Sequence, residues 1–203
     1  MNKALLFING KKPKSIPEDL SSYSLICCTD GAYTRYVKKF NLTVDFISGD
    51  LDSIKRKKVP SLITVIPTPD QNKTDFHKAL ELLIKRGIKE VDVYGATGRE
   101  SDHFIGNLAT ALFFKKKLKI TFYDDFSYFF FSEKRVNLCG VKGKTISLIP
   151  FFTATNICTE GLEYPLSNES LTFSERIGTR NKANKNSVTI TYTDGELLLY
   201  IGK

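Results

Sequence analysis

The chain predicts an α/β protein in two parts: a parallel-sheet domain over residues 1–126 and an all-β domain over residues 127–203. Three observations carry this. As far as about Phe126, short apolar runs alternate with amphipathic helical stripes, the pattern of right-handed βαβ units. Beyond Phe126 the helical stripes vanish, and short apolar runs separated by Gly, Pro, Asn and Ser replace them. The polar, glycine-bearing loops of the first part each follow a strand, and a parallel sheet gathers such loops on one edge, where ligands bind.

Taken in order, Ala4-Leu5-Leu6-Phe7-Ile8 reads as a buried strand ended by Asn9-Gly10, and Leu25-Ile26-Cys27-Cys28 as a second, followed by Thr29-Asp30-Gly31. Tyr33, Tyr36, Val37 and Phe40 recur at i, i+3, i+4 and i+7, the stripe of an amphipathic helix. Val44 to Ile47 is a third strand and Leu62 to Ile66 a fourth, closed by Pro67-Thr68-Pro69-Asp70. The next helix places Phe76, Ala79, Leu80, Leu83 and Ile84 on one face, with Thr74 as N-cap and Gly87 as its stop. Val91 to Tyr94 is a fifth strand running into Gly95-Ala96-Thr97-Gly98-Arg99. Ser101 is placed to cap a helix with Phe104, Leu108, Ala111 and Leu112 on its apolar face, and Lys119 to Tyr123 is a sixth strand.

In the second part, Thr145 to Ile149 and Leu171-Thr172-Phe173 read as strands, within a small sandwich or barrel. Ser187 to Thr193, Asp194-Gly195 and Glu196 to Ile201 together give the signal of a β-hairpin with a type I′ turn. Tyr128-Phe129-Phe130-Phe131 reads as core or interface.

Composition narrows the function classes. With 203 residues, 41% hydrophobic and 26% charged, the chain has the make-up of a soluble globular protein. No apolar run approaches the ~20 residues that span a bilayer, and the N-terminal run from Ala4 to Ile8 is too short for a signal peptide. Four cysteines, two adjacent at Cys27-Cys28, form neither a disulfide framework nor a CxxC metal pattern, so buried free thiols in a reducing, cytoplasmic setting are expected. The formal charge of +8 is scattered, at Lys11, Lys12 and Lys14, Lys55 to Lys58, Lys115 to Lys117, and Lys182 and Lys185. With no basic helix or stacking-aromatic motif, it points to an anionic small substrate ahead of nucleic acid.

The chemistry centres on Ser48-Gly49-Asp50-Leu51-Asp52-Ser53. Like charges at i and i+2 are unfavourable unless something positive lies beside them, and hard oxygen ligands in a short loop suit Mg²⁺ completed by water and phosphate. The bland reading, a solvated turn, fits Gly, Asp and Ser equally well until the other loops are added. Thr68-Pro69-Asp70-Gln71-Asn72-Lys73-Thr74-Asp75 brings two carboxylates, an amide, a lysine and a hydroxyl to a helix N-terminus, which favours anions. Asp75 there could equally serve the helix dipole. Gly95 to Arg99 is a second phosphate cradle, with Arg99 able to bond phosphate bidentately. His77 and His103 read as structural, and no zinc site or nucleophilic triad is present. The crevice inventory, including Asp30 and Asp102, is that of a Mg²⁺-nucleotide and phosphoryl transfer, where catalysis is positioning plus electrostatics.

Gly49-Asp50-Leu51-Asp52-Ser53, Thr68-Pro69-Asp70-Gln71-x-x-Thr74-Asp75-Phe76 and Gly95-Ala96-Thr97-Gly98-Arg99-x-x-Asp102-His103, in this order, resemble the thiamine pyrophosphokinase family. The likeness continues through Ser147-Leu148-Ile149-Pro150 and Thr159-Glu160-Gly161-Leu162-x-Tyr164-Pro165-Leu166, covering nearly the whole chain. It implies a Rossmann-like nucleotide-binding domain followed by a thiamine-binding β-sandwich, in a homodimer whose thiamine sites lie between one subunit's crevice and the other's β-domain. The implied reaction moves a diphosphate from Mg-ATP to the hydroxyl of thiamine and releases AMP. By the same resemblance Asp50, Asp52 and Asp75 hold Mg²⁺; Asp30, Asp70, Gln71, Lys73, Thr74 and Arg99 handle ATP; and Asp102, Tyr164, Thr179 and Asn181 shape the thiamine side. The catalytic set is then Asp50, Asp52, Asp75, Arg99 and Asp102, with Asp52 or Asp102 taking the alcohol proton.

Two positions depart from the family. Ala32 follows Asp30-Gly31 where a second glycine is usual, and Gly178-Thr179-Arg180-Asn181 carries Arg180 where a small hydroxyl side chain is expected. The competing expectations are a pyrophosphokinase acting on another alcohol, such as a hydroxymethyl-pterin, and a nucleotide- or nucleic-acid-binding module without chemistry. The Gly161 to Leu166 motif argues against the first.

Overall fold

The computed structural model describes residues 2–52, 54 and 59–203, so Ser53 and the basic run Lys55 to Lys58 lie outside the described residues. The fold is mixed α/β, in two compact units, Met1–Asp125 and Phe126–Lys203.

Among its described residues the first unit holds six strands: β1 (Lys3–Phe7), β2 (Leu25–Thr29), β3 (Phe46–Gly49), β4 (Thr64–Pro67), β5 (Glu90–Tyr94) and β6 (Lys119–Tyr123). All pair in parallel, in the order β4-β3-β2-β1-β5-β6. Leu5, Leu6, Phe7, Cys27, Cys28, Ile47, Val91 and Val93 are buried, as expected of strands covered on both faces. The chain runs outward from β1 through β4 on one side and resumes with β5 on the other. A switch point therefore opens between the carboxyl ends of β1 and β5, where open α/β sheets bind ligands.

The helices are α1 (Asp30–Arg35), α2 (Asp75–Lys85) and α3 (Ser101–Phe114). Thr74 caps α2 as expected, its hydroxyl accepting the His77 N–H at 3.2 Å. Past the C-cap Arg86, Gly87 at φ +77° ends the helix. Two local expectations need correction. The stripe from Tyr33 to Phe40 is not one helix: α1 stops at Arg35 and a 3₁₀ turn covers Val37–Phe40. The cause is Tyr36, wholly buried, whose hydroxyl donates to the Ile8 carbonyl at 2.7 Å and whose ring meets Phe7 edge-on; a φ of −149° takes it out of the helix. Ser101 is not a cap either, because Glu100 occupies the N-cap position without a side-chain bond and Ser101 is the first helical residue.

The second unit is all β: β7 (Ser127–Phe131), β8 (Arg135–Cys139), β9 (Thr145–Glu160), β10 (Glu169–Thr172), β11 (Gly178–Lys182), β12 (Ser187–Thr191) and β13 (Asp194–Gly202). The sixteen-residue β9 organises it, pairing antiparallel with β13, β10 and β11 over most of its length and with β12 at its last residues. Phe152 and Asn156 on β9 both have positive φ, the local distortion by which a strand bends from one set of partners to another. The expected hairpin between β12 and β13 does not form. β12 pairs β8 and β9, whereas β13 pairs β7 and β9. Gly195, at φ +80°, instead lets β13 approach the Thr153 carbonyl, which a Cβ would overlap. Phe129 is buried, and Tyr128 and Phe130 pack on the core of Ile146, Leu148, Ile157 and Leu199, so the aromatic run is core. All four cysteines are free, with Cys27 and Cys28 buried and Cys139 and Cys158 exposed.

Candidate active site

A crevice of about 380 Å³ opens at the switch point, lined among others by Asn9 and Gly10 after β1, Thr29 at the end of β2, Asp50 after β3 and Gly95 to Thr97 after β5. Gln71, Lys73, Thr74, Asp75 and Lys78 line it from the start of α2, and Arg99, Asp102 and His103 from the start of α3. Residues some ninety positions apart in sequence thus share one wall, because parallel strands end on a common edge.

Three carboxylates converge where β2 and β3 end, and one of them, Asp50, lines the crevice. One ligand oxygen from each of Asp30, Asp50 and Asp52 lies within 4.8 Å of the others, with Asp30 buried and the other two exposed. Asp30 is fixed by two backbone donors, Gly31 N–H to Oδ1 at 2.6 Å and Leu51 N–H to Oδ2 at 3.1 Å. Leu51 itself sits at φ +70°, a costly conformation for a branched side chain that persists where its surroundings impose it. Burial pushes the Asp30 carboxyl above its ordinary pKa, and the charges on Asp75 and Asp50 add to the effect against those two N–H groups. Asp50 is held below the ordinary range, chiefly by the Asp52 N–H and further by Gln71 and the Lys78 charge. Beneath this cluster the hydroxyls of Thr29 and Ser48 are buried with no hydrogen-bond partner, as is that of Thr68 beside β4. Buried polar atoms are seldom left unanswered, so this edge of the sheet is built for something more than the chain itself.

Asp75 lies outside the three-carboxylate group. Its Oδ1 is 2.9 Å from Lys78 Nζ, and Lys78 also donates to the carbonyls of Thr68 at 2.7 Å and Asp70 at 3.3 Å. Only 6% of Lys78 is exposed. Reading the sequence for crevice residues missed it, since it falls on the apolar flank of α2. Its signal was the i, i+3 spacing from Asp75, which places the two on one helix face.

The remaining predicted residues fall as follows. Lys73 lines the crevice but is bonded to Glu81 at 2.8 Å, which raises its pKa, with Asp70 4.0 Å away. Asp70 is exposed and turns inward to its own loop, accepting the Asn72 N–H at 2.9 Å, which lowers its pKa. Arg99 donates to the Asn9 carbonyl at 3.2 Å. Asp102 accepts the His103 N–H, and His103 is exposed at 3.5 Å from Glu100. In the second unit, Asn181 clamps Tyr164 by both its amide groups, accepting from Tyr164 N–H at 3.1 Å and donating to its carbonyl at 2.7 Å. Tyr164 is left 67% exposed, and Thr179 is exposed on β11.

Parallel strands, a crevice at the switch point, clustered carboxylates and cations at helix starts define an α/β protein with the equipment to hold an anionic ligand. The chain belongs to the thiamin pyrophosphokinase family: residues 17–122 match its catalytic domain and residues 133–197 its vitamin B1 binding domain. It is 26% identical over 226 residues to thiamine pyrophosphokinase 1 of Oryza sativa subsp. japonica, covering 96% of this chain and 85% of that one. It is 25% identical over 205 residues to the thiamine pyrophosphokinase of Bacillus subtilis, covering 92% and 93%. The crystal structure of the Bacillus subtilis enzyme superposes with a TM-score of 0.83 over 98% of this chain and 99% of that one, at 22% sequence identity. No helix among the described residues is long and apolar enough to cross a membrane.

Proposed function

We propose that the protein is a thiamine pyrophosphokinase, transferring a diphosphate from Mg-ATP to the hydroxyl of thiamine to give thiamine diphosphate and AMP. The observation that carries this reading is the Asp30, Asp50 and Asp52 cluster, which reaches through Asp50 into a crevice also lined by Lys73 and Arg99. Correspondence to both domains of the family, over residues 17–122 and 133–197, supports it.

The donor set fits a hard divalent cation: three carboxylates, one of them buried at a raised pKa, near orphaned hydroxyls and, among the described residues, without a histidine or cysteine in the group. Asp30, Asp50 and Asp52 would hold Mg²⁺, which supplies charge neutralisation at the oxygens of the transferred diphosphate. Lys73 and Arg99 bind the phosphates, Lys73 exchanging Glu81 for the anion, and Gln71 and Thr74 complete that wall. Asp75 acts with Lys78 to fix the loop from Thr68 to Asp70, and Asp70 shapes the same loop. Of the two candidate bases, Asp102 is the better. A carboxylate committed to a cation, as Asp52 would be, is a poor proton acceptor. Asp102 faces the crevice outside the cluster.

The finer architecture follows the family: a Rossmann-like nucleotide-binding domain over 1–126, and a β-sandwich over 127–203 in which Tyr164, Thr179 and Asn181 meet thiamine. The working form is a cytoplasmic homodimer. The test is incubation with ATP, Mg²⁺ and thiamine, following AMP and thiamine diphosphate. Formation of both is expected, with loss in Asp50→Ala and Asp52→Ala chains whose circular dichroism is unchanged. AMP formed only with another alcohol, such as a hydroxymethyl-pterin, would refute the substrate. Unaltered function in those variants would refute the chemistry.

A further inference from the structure

The all-β unit carries a second cavity, of about 590 Å³, lined by Lys142 and Lys144 before β9, Thr145 and Ser147 on β9, and Arg180 on β11, among others. No Asp or Glu side chain lines it. Among the described residues, the side-chain nitrogens of Lys142, Lys144 and Arg180 have no ion-pair or hydrogen-bond partner. Three cations bordering one hollow favour an anion there.

Arg180 is placed there by a specific backbone device. It stands at φ +56° in the irregular stretch where the β11–β9 register shifts between Gly178 and Asn181, and its N–H donates to the Ser147 hydroxyl at 3.0 Å. A left-handed arginine within a strand is an outlier that neighbours must enforce, and bulges of this kind re-aim a side chain. Guanidinium and two ammonium groups around hydroxyls form a receptor for a tetrahedral polyanion, since arginine offers a planar fork and lysine a mobile point charge. A thiazolium or another cationic ligand would be repelled from the same hollow.

We propose that this hollow is a binding site for a diphosphate group, separate from the crevice of the first unit. Lys142, Lys144 and Arg180 answer its charge, and Thr145 and Ser147 border it. Free pyrophosphate, a nucleoside polyphosphate and an organic diphosphate share this chemistry.

The test is titration of the ¹⁵N-labelled full chain with inorganic pyrophosphate in metal-free buffer, read by amide shifts and independent of whether the chain makes AMP. Saturable shifts are expected at Lys142 to Thr145, Ser147 and Arg180, weakening as ionic strength rises. Arg180→Ser should weaken binding at least tenfold, as should the Lys142→Gln/Lys144→Gln pair, which leaves the β11 backbone untouched should Arg180→Ser fail to fold. Repeating the titration with ATP and with thiamine diphosphate identifies which source reaches these amides at the lowest concentration. Shifts confined to the crevice, unchanged affinity in the charge-removed variants, or equal affinity for sulfate would overturn the proposal.

Discussion

Lys78 places a full charge where almost no solvent reaches, and such a charge is tolerated only when its donors are all used. Here they are, on two carbonyls of the loop before α2 and on Asp75. The same three bonds fix the height of the loop that presents Gln71 and Lys73 to the crevice. Lys78→Met should therefore cost about 2–3 kcal/mol of stability by stranding those acceptors and lower turnover at least ~10-fold through misplacement. Lys78→Arg should recover part of both, as measured by urea unfolding and steady-state AMP formation. A thermally normal Lys78→Met enzyme with full turnover would remove Lys78 from the machinery. Gly49 makes a complementary case. A Cβ there would lie 2.5 Å from Asp30 Cγ, so Gly49→Ala must displace the buried carboxylate. The expected result is a loss of roughly 100-fold in kcat, with the Mg²⁺ dependence shifted to higher concentration and the circular dichroism unchanged. A methyl group absorbed without kinetic effect would show that Asp30 need not stay where it is.

Among elements, what was legible in the sequence was what local chemistry decides. The capped start of α2 and its glycine stop, the six parallel strands and the loops that follow them could all be read from spacing alone. What was not legible depends on distant partners. Tyr36 leaves its helix for the Ile8 carbonyl, and β13 leaves the turn at Asp194-Gly195 for β9, because a long bent strand offers more pairing than a two-residue hairpin. The proximity of Asp30 to Asp50 and Asp52, within 4.8 Å, likewise depends on β2 and β3 lying side by side and cannot be read from spacing. Another long-range tie was equally silent. Asp125, just past β6, accepts Lys14 N–H at 2.9 Å and Lys11 Nζ at 3.1 Å, anchoring the loop after β1 that carries Asn9 and Gly10 to the crevice. The Lys14 N–H, with Lys11, holds this carboxyl below its ordinary value of 3.8. A depressed carboxyl binds protons less readily folded than unfolded. Its contribution is therefore present above the unfolded pKa and lost as pH falls through the folded one. Asp125→Asn should destabilise the protein by about 1 kcal/mol at neutral pH, the exposure of Lys11 keeping the figure low. The gap from the parent chain should close in urea titrations taken below pH ~3.8, and a gap independent of pH would show that the bond is not charge-assisted.

At the scale of the whole molecule, each unit has its own core: Leu5, Phe7, Tyr36 and Ile47 in the first, Ile146, Leu148, Ile157 and Leu199 in the second. Stability and ligand binding can therefore be linked unit by unit. A ligand that binds only the folded state stabilises by mass action, about 2.7 kcal/mol at a hundred times its Kd, or roughly 5–10 °C for a chain of this size. Mg-ATP, offered without an alcohol so that nothing turns over, is expected to raise the melting transition by that amount in scanning calorimetry. ATP with a chelator should do much less, because Asp30, Asp50 and Asp52 would then face the phosphates as bare like charges. Asp50→Asn should remove most of the difference between the two. If the units melt separately, Asp125→Asn marks which transition belongs to the first, and the Mg-ATP shift should fall on that one. An equal shift with and without the metal would mean that the nucleotide is held by Lys73, Arg99 and the helix starts alone. The gathering of the three carboxylates beside this crevice would then need another reason.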